Sequence, residues 1–218
     1  MQRIVDVVFA VTGLVLFLPF AIPIMIALRL TGEGKIFYHQ PRVGYRGEIF
    51  KLIKFATMLE DSPNLLSGDI TLKDDPRVLP MGKFLRSTKI NEVPQILNIL
   101  KGDMALVGPR PLTPRNFALY SEEVRKDIVR VRPGLTGIGS IVFRDEESIL
   151  AGSEKSHLDC YADEISPYKG ALELWYIRNR SLWLDLKIVL LTAWVVLFPR
   201  SDLHTRLIGG LPPRPRLD

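Results

Sequence analysis

The sequence predicts an α+β fold, mostly helical, in a membrane-associated chain. Three observations carry this. Val7 to Leu28 holds no charged residue. The middle of the chain alternates short apolar runs with runs of helical period. A second apolar run, Leu184 to Phe198, follows near the C-terminus. These divide the chain into a membrane helix at 1–31, a mixed domain at 32–182, an interfacial amphipathic helix at 183–200 and a loose tail at 201–218.

The 218 residues suffice for one compact domain plus membrane segments. Hydrophobic residues make up 47%, and their clustering at the two ends is what matters. Net charge is +5 and the pI about 9.4. Such a balance suits nucleic acid, anionic lipid or phosphorylated substrates. No Lys/Arg run and no zinc-finger spacing is present, so nucleic acid is set aside as a partner. Cys160 is the only cysteine, which rules out an internal disulfide and fits a structural bystander.

The first apolar stretch is long enough to cross a bilayer core of about 30 Å. No small-residue cleavage site follows it, so it is no signal peptide. Pro19 and Pro23 lie inside it, and proline removes a backbone donor and kinks a helix. Arg3 precedes it, and Arg29 and Lys35 follow, so the positive-inside rule gives no direction. A kinked helix that enters and returns to one face satisfies both flanks. A bent single-pass anchor is the alternative.

Ile36–Tyr38 and Glu48–Ile53 read as short strands joined by a turn at Pro41–Gly47. Arg42 and Lys54, on or beside them, are candidate phosphate contacts. Glu60 to Arg77 reads as a polar surface loop, and Asp69, Asp74 and Asp75 lack calcium-loop spacing. Val78–Arg86 is a short basic amphipathic segment.

The charge-bearing centre is RSTKINEVPQILNILKGDMALVGPRP, Arg86 to Pro111. Val93, Ile96, Leu97 and Leu100 recur at helical spacing, which predicts a helix over Asn91–Leu100 with Asn91 as N-cap. Glu92 then lies at the positive helix end among cations. Gly102-Asp103 ends the helix, and Gly108-Pro109-Arg110-Pro111 makes a rigid turn. Arg86, Lys89, Lys101, Arg110 and nearby Arg115 are positioned to hold phosphate oxygens. The spacing alone fits either an anion site with one acid inside it or a capped helix with solvated charges.

Pro114–Val131 is predicted helical, with Phe117, Tyr120, Val124 and Ile128 as its apolar stripe. Val131–Gly137 reads as a turn, Ile138–Phe143 as a strand and Ala171–Arg180 as a helix. Asp145–Lys169 is acidic and reads as a surface excursion, or as a segment shaping substrate choice. His39, His157 and His204 lack metal-ligand spacing. Trp183, Leu190, Trp194 and Leu197 share one face of the second apolar run, which favours a membrane interface over a buried core helix. The Gly-, Pro- and Arg-rich Arg206–Asp218 is predicted to be loose.

KINEVPQILNILKGDMALVGPRP resembles the signature of the bacterial sugar transferases, the monotopic phosphoglycosyl transferases. VRPGLTG at Val131–Gly137, KFATM at Lys54–Met58 and RNRSLWLDLKI at Arg178–Ile188 resemble further family blocks in the family order. The resemblance implies transfer of a sugar 1-phosphate from a nucleotide sugar, such as a UDP-sugar, to polyprenyl (undecaprenyl) phosphate. It implies magnesium (Mg2+) held at Glu92 and a re-entrant helix broken at Pro19, where Leu18 stands for the usual serine. It places 32–182 as a catalytic domain on the cytoplasmic face of the bacterial inner membrane, against membrane lipid. Candidate phosphate-binding positions are Arg86, Arg110, Pro111, Arg132, Arg144, Lys54 and Arg42. Pro19, Trp183 and Trp194 are the candidate membrane contacts. Ala56 stands where the family often has a further cation.

The family usually carries an Asp-Glu dyad where this chain has Asn91-Glu92. That Asp implies a carboxylate nucleophile. A neutral amide is a poor nucleophile and a weaker magnesium ligand. Three readings follow: an active transferase in which Glu92, the surviving acid, binds magnesium and either takes over as nucleophile or serves a direct transfer that replaces the two-step route; an inactive relative that still binds polyprenyl phosphate or sugar nucleotide; and a membrane-surface protein binding anionic lipid. A homo-oligomer stays open.

Overall fold

The structure, a computed structural model, describes residues 2–65, 71, 75–144, 146–153, 155–198 and 201–214. Asp69, Asp74, Asp145, Pro199, Arg200, the His204 side chain and the tail beyond residue 214 lie outside what it describes.

Helix α1 (Gln2–Leu30) spans 29 residues and holds Pro19 and Pro23 inside it. The expected interruption at Pro19 does not occur. Both prolines sit on the exposed flank, and a proline forfeits only its own hydrogen bond while the rest of the ladder continues. The opposite flank packs on the domain along its whole length. Arg3 donates from Nη2 to the Leu100 carbonyl at 3.1 Å. Asp6 Oδ1 accepts from the Leu106 amide at 3.0 Å. Ala10 and Leu14 meet Leu52, Ile96 and Ile99, and Phe17, Ile24, Met25 and Leu28 meet Phe55 and Leu85. What remains outside is a stripe at helical spacing: Ile4, Val8, Val11, Val15, Leu18, Ile22 and Ile26, all exposed.

Strands β1 (Phe37–Val43) and β2 (Ile49–Phe55) form an antiparallel hairpin, with Phe37 opposite Phe55 and Val43 opposite Ile49. The predicted turn at Pro41–Gly47 is shorter than expected. Pro41 to Val43 stay extended because each strand of a two-stranded sheet has a free edge, where proline's missing donor is tolerated. Arg46 and Gly47 take positive φ of 59° and 79° to close the turn. Asn98, fully buried, ties the next helix to β2: its Oδ1 accepts from the Ile53 amide at 2.9 Å, and its Nδ2 donates to the Lys51 carbonyl at 2.9 Å.

Helix α2 (Pro80–Ser87) begins with proline, where the absent N–H is harmless. Gly82 lets it approach Thr57: a Cβ there would lie 2.1 Å from the Thr57 carbonyl oxygen. The predicted helix over Asn91–Leu100 divides. Ile90–Gln95 is a 3-10 turn, and α3 runs only over Ile96–Lys101. Lys89, not Asn91, occupies the cap, at φ 59°. Pro94 explains the division, since it cannot donate and its ring crowds the preceding turn.

Strands β3 (Ala105–Val107) and β4 (Gly134–Thr136) pair in parallel, so part of the predicted Val131–Gly137 turn is strand. Gly108 and Gly134 face each other too closely for side chains; a Cβ on Gly134 would sit 2.1 Å from the Gly108 nitrogen. Pro114–Val131 is two helices, α4 (Pro114–Ala118) and α5 (Glu122–Ile128). Thr113 and Ser121 each cap one, accepting from Asn116 and Val124 amides, and the second cap ends the continuity. Ile138–Phe143 is not a strand: α6 covers Ile138–Val142. Its β-branched residues suit a strand, yet Ile138 and Ile141 are buried three apart on one helical face, and packing overrides propensity.

Asp145–Lys169 is no surface excursion. Helices α7 (Glu146–Ala151) and α8 (His157–Cys160) and a π-turn at Tyr161–Ile165 bury Leu150, Cys160, Tyr161 and Ile165 in the main core. Helix α9 (Ser166–Asn179) starts earlier than predicted and supplies Leu172 and Tyr176 to that core. Helix α10 (Leu182–Leu197) is capped by Ser181 and buries Leu184, Ile188, Leu191 and Val195. Its other face exposes Trp183, Leu186, Leu190, Trp194 and Leu197. After α11 (Leu203–Leu207) the predicted loose tail is held down: Ile208 is buried, and the Tyr168 hydroxyl donates to the Pro212 carbonyl at 3.0 Å.

Candidate active site

Two local devices bring charge to one place. The hairpin carries Gln40, Arg42 and Lys54. Gln40 Oε1 accepts from Lys54 Nζ at 2.8 Å and from Arg42 Nη2 at 2.6 Å. Arg42 Nη1 also donates to the Pro111 carbonyl at 2.9 Å, which fastens the Gly108–Pro111 turn to the hairpin. The second device is the left-handed Lys89, which folds α2 against the 3-10 turn and sets Glu92 beside these cations. Arg110 reaches Glu92 from the turn, Nη2 to Oε1 at 3.3 Å, with 42% and 23% of the two side chains exposed. Its Nη1 lies 3.4 Å from Ser140 Oγ. Both contacts are long, so the guanidinium and the carboxylate are lightly held and open to a ligand.

The electrostatics follow from this crowding. Burial pushes Lys54 down to about 7, and repulsion from Arg42, Arg86 and Arg110 adds to it, against attraction from Glu92. Burial alone raises the Glu92 carboxyl, but Arg110, Lys89 and Lys54 outweigh it and hold it below its ordinary value. Glu92 is therefore ionised at neutral pH, and Lys54 is poised to regain its proton beside an arriving anion. Arg110, Lys89 and Lys54 thus bear on Glu92, and Arg42 and Arg86 bear on Lys54.

Asn91 is buried, and its Oδ1 has no hydrogen-bond partner among the described groups. A buried acceptor is rarely left unpaired, which makes this oxygen a candidate ligand position. Arg86 is half-buried, its Nη1 3.7 Å from Met58 Sδ. Two predicted cations lie elsewhere. Arg132 donates from Nε to the Gly102 carbonyl at 2.8 Å and covers the Tyr45 ring. Arg144 donates to the Ser201 carbonyl at 2.8 Å. Pro19, Trp183 and Trp194 are exposed on apolar faces remote from Glu92 in sequence. Lys101 and Arg115 are exposed.

Behind Arg110 lies a buried polar layer that the sequence did not announce. Glu173, 2% exposed, accepts from the Arg110 amide at 3.3 Å through Oε1. Its Oε2 is unpaired among the described groups. Burial raises its carboxyl to about 7, partly offset by the Arg110 amide, Lys169 and the Arg110 charge. Lys169, buried and brought down chiefly by burial, pairs with Glu146 between the Phe143 and Tyr161 rings. The only sequence signal was a lone carboxylate inside an apolar helix. Gly139 was mute until the structure showed that a Cβ there would meet Glu173 Oε1 at 2.5 Å.

Residues 1–199 match the family described as bacterial sugar transferase. The exopolysaccharide production protein ExoY of Sinorhizobium fredii is 33% identical over 215 residues, covering 92% of this chain and 87% of that protein. The UDP-glucose:undecaprenyl-phosphate glucose-1-phosphate transferase of Caulobacter vibrioides is 35% identical over 196 residues, covering 88% and 68%. An uncharacterized sugar transferase of Haemophilus influenzae is 32% identical over 211 residues, and there the chain spans 41% of the relative's length. With the match running from α1 through α10 and across the whole cation cluster, the chain belongs to the bacterial sugar transferase family.

Proposed function

We propose that this chain transfers a sugar 1-phosphate from a nucleotide sugar, a UDP-sugar in our reading, to undecaprenyl phosphate at the cytoplasmic face of the inner membrane. The observation that carries the reading is one ionised acid, Glu92, in a cluster of four cations and the titrating Lys54, beside a domain with two exposed apolar helix faces. The names of the Caulobacter relative and of an undecaprenyl-phosphate galactose phosphotransferase from Salmonella typhimurium support it.

Donor and acceptor are both anions, so their repulsion is the first barrier. Arg42, Arg86, Lys89 and Arg110 offset it by gripping phosphate oxygens, and Lys54 joins them on protonation. Glu92 then attacks the phosphorus that bears the sugar, and its bond to the nucleoside monophosphate breaks. The polyprenyl phosphate oxygen next attacks the same phosphorus, freeing Glu92 and leaving the sugar on a lipid diphosphate. Among the described residues no cluster of three metal-binding side chains occurs. Magnesium still fits, because it keeps several waters and takes one or two protein ligands plus substrate phosphates. Glu92 and the unpaired Asn91 Oδ1 would hold it, and it would supply neutralisation of diphosphate charge. The neutral Asn91 favours a second reading, a relative that binds these ligands without turnover. A screen of nucleotide sugars with undecaprenyl phosphate separates the two: nucleoside monophosphate appears in the first case, and only saturable binding in the second.

Arg86→Ala and Arg110→Ala are each expected to lower kcat/KM at least about tenfold, roughly 1.4 kcal/mol of transition-state binding. Wild-type rates in either variant would take that residue out of the site.

The same reading places α1 in one face of the bilayer without crossing it. Its first turn is fixed through Arg3 and Asp6, and its last through Leu28, to the same domain. Contacts to one domain at both ends of a 29-residue helix, about 43 Å long, support a placement at one face. Single cysteines introduced at residues 2 and 60 are expected to react with an impermeant maleimide from the same side. Labelling from opposite sides contradicts the placement.

A further inference from the structure

At the end of α3 away from Glu92 lies a cavity of about 210 Å³, lined by Gln2, Arg3, Asp6, Tyr45, Ala105, Val131 and three further arginines, Arg130, Arg132 and Arg180. Four arginines thus line one cavity with one carboxylate, while Asp127 and Asp185 stand just outside against Arg130 and Arg180. The lining carboxylate, Asp6, is occupied by the Leu106 amide. Arg3 and Arg132 each spend part of their donors on the end of α3, at the Leu100 and Gly102 carbonyls. Arg130 reaches Asp127 at 3.2 Å and is otherwise exposed. Arg180 keeps a buried Nε with no hydrogen-bond partner among the described groups. Its guanidinium bonds the Tyr176 hydroxyl and faces Asp185, and the group is half-buried rather than sealed off.

We propose that this cavity is a second anion site, separate from the Glu92 cluster, that binds a phosphate ester. Its position selects the phosphate. Arg3 stands in the first turn of α1, one residue before Ile4, where the exposed apolar stripe begins. A phosphodiester headgroup whose acyl chains run along that stripe would meet Arg3, Arg130, Arg132 and Arg180 together. Free phosphate shares the same chemistry without the chains. Arginine suits either because its planar fork grips two phosphate oxygens at once. Occupancy would pin the start of α1 to the end of α3, so the site anchors the domain at headgroup depth.

The test is calorimetry on the full chain in neutral detergent, with dihexanoyl phosphatidylglycerol and inorganic phosphate as separate probes. Wild type is compared with Arg130→Gln, Arg130→Gln/Arg180→Gln and Arg110→Ala. Saturable binding is expected, weakened at least tenfold in the double variant and several-fold in Arg130→Gln; in Arg110→Ala the lipid binds as in wild type, and only phosphate held by the Glu92 cluster is lost. Tighter binding of the lipid than of phosphate identifies a headgroup site; equal binding identifies a free-phosphate site. The single variant changes only an exposed side chain, so it stands if the double variant misfolds. The proposal fails if neither probe binds, if Arg130→Gln binds like wild type, or if Arg110→Ala removes lipid binding.

Discussion

Glu92→Gln is expected to abolish sugar-phosphate transfer, lowering kcat by at least about 1000-fold, or ~4 kcal/mol of barrier. Glu92 is the acid on which Arg110, Lys89 and Lys54 converge, with Arg42 and Arg86 acting on the same lysine. Glutamine keeps its size and helix propensity but removes the charge, and with it both the nucleophile and the metal ligand. Stability should hardly change, since the bond to Arg110 is long and partly exposed. Thermal unfolding should therefore agree with wild type to within about 1 kcal/mol, which separates lost chemistry from lost fold. Asn91→Asp is the complementary change. It should raise turnover, most at high magnesium, because two adjacent carboxylates repel until a cation joins them. If Glu92→Gln turns over normally and Asn91→Asp gains nothing, the chemistry does not lie at this pair.

Arg77→Ala is expected to destabilise the fold by about 3–5 kcal/mol, the range for breaking a buried ion pair by removing one partner. Arg77 is 2% exposed and is the largest fully buried side chain among those described. Its Nη2 lies 2.6 Å from Asp75 Oδ2, and its Nε donates to Asp75 Oδ1 at 2.9 Å. Its Nη1 donates to the Ser62 and Leu65 carbonyls at 2.7 and 2.9 Å. Removing it takes the guanidinium partner from the buried Asp75 carboxylate and frees the Ser62 and Leu65 carbonyls. The segment pinned this way leads directly into α2 and Arg86, so activity should fall with stability. Denaturant unfolding checks it; a loss under about 1 kcal/mol would show that the network is solvated.

The legible part of this molecule was the part encoded locally. An uncharged stretch announces α1, alternation announces the hairpin, and one contiguous segment from Arg86 to Pro111 carries most of the candidate site. What escaped depends on distant partners. Glu173 and Lys169 reach Arg110 and Glu146 only because α9 packs behind the turn. The pairing of Ala105 with Gly134 is parallel and nonlocal, so no hairpin signal exists for it. Ile138 to Phe143 carries strand-prone residues whose helical burial is decided by α9 and α10. Arg132 and Arg144 show a different limit: a motif gives a residue's place in the chain, but not the carbonyl its side chain turns to. Pro19 shows a third, since an exposed proline can ride inside a helix without ending it.

The most direct measurement is release of nucleoside monophosphate from a panel of nucleotide sugars by the purified full chain, with and without undecaprenyl phosphate, for wild type and Glu92→Gln. The account predicts sustained release from at least one nucleotide sugar only when the lipid is present, a sugar-bearing lipid diphosphate as co-product, and loss of both in Glu92→Gln. Saturable nucleotide-sugar binding with no release from any member of the panel, or equal release by Glu92→Gln, would contradict it.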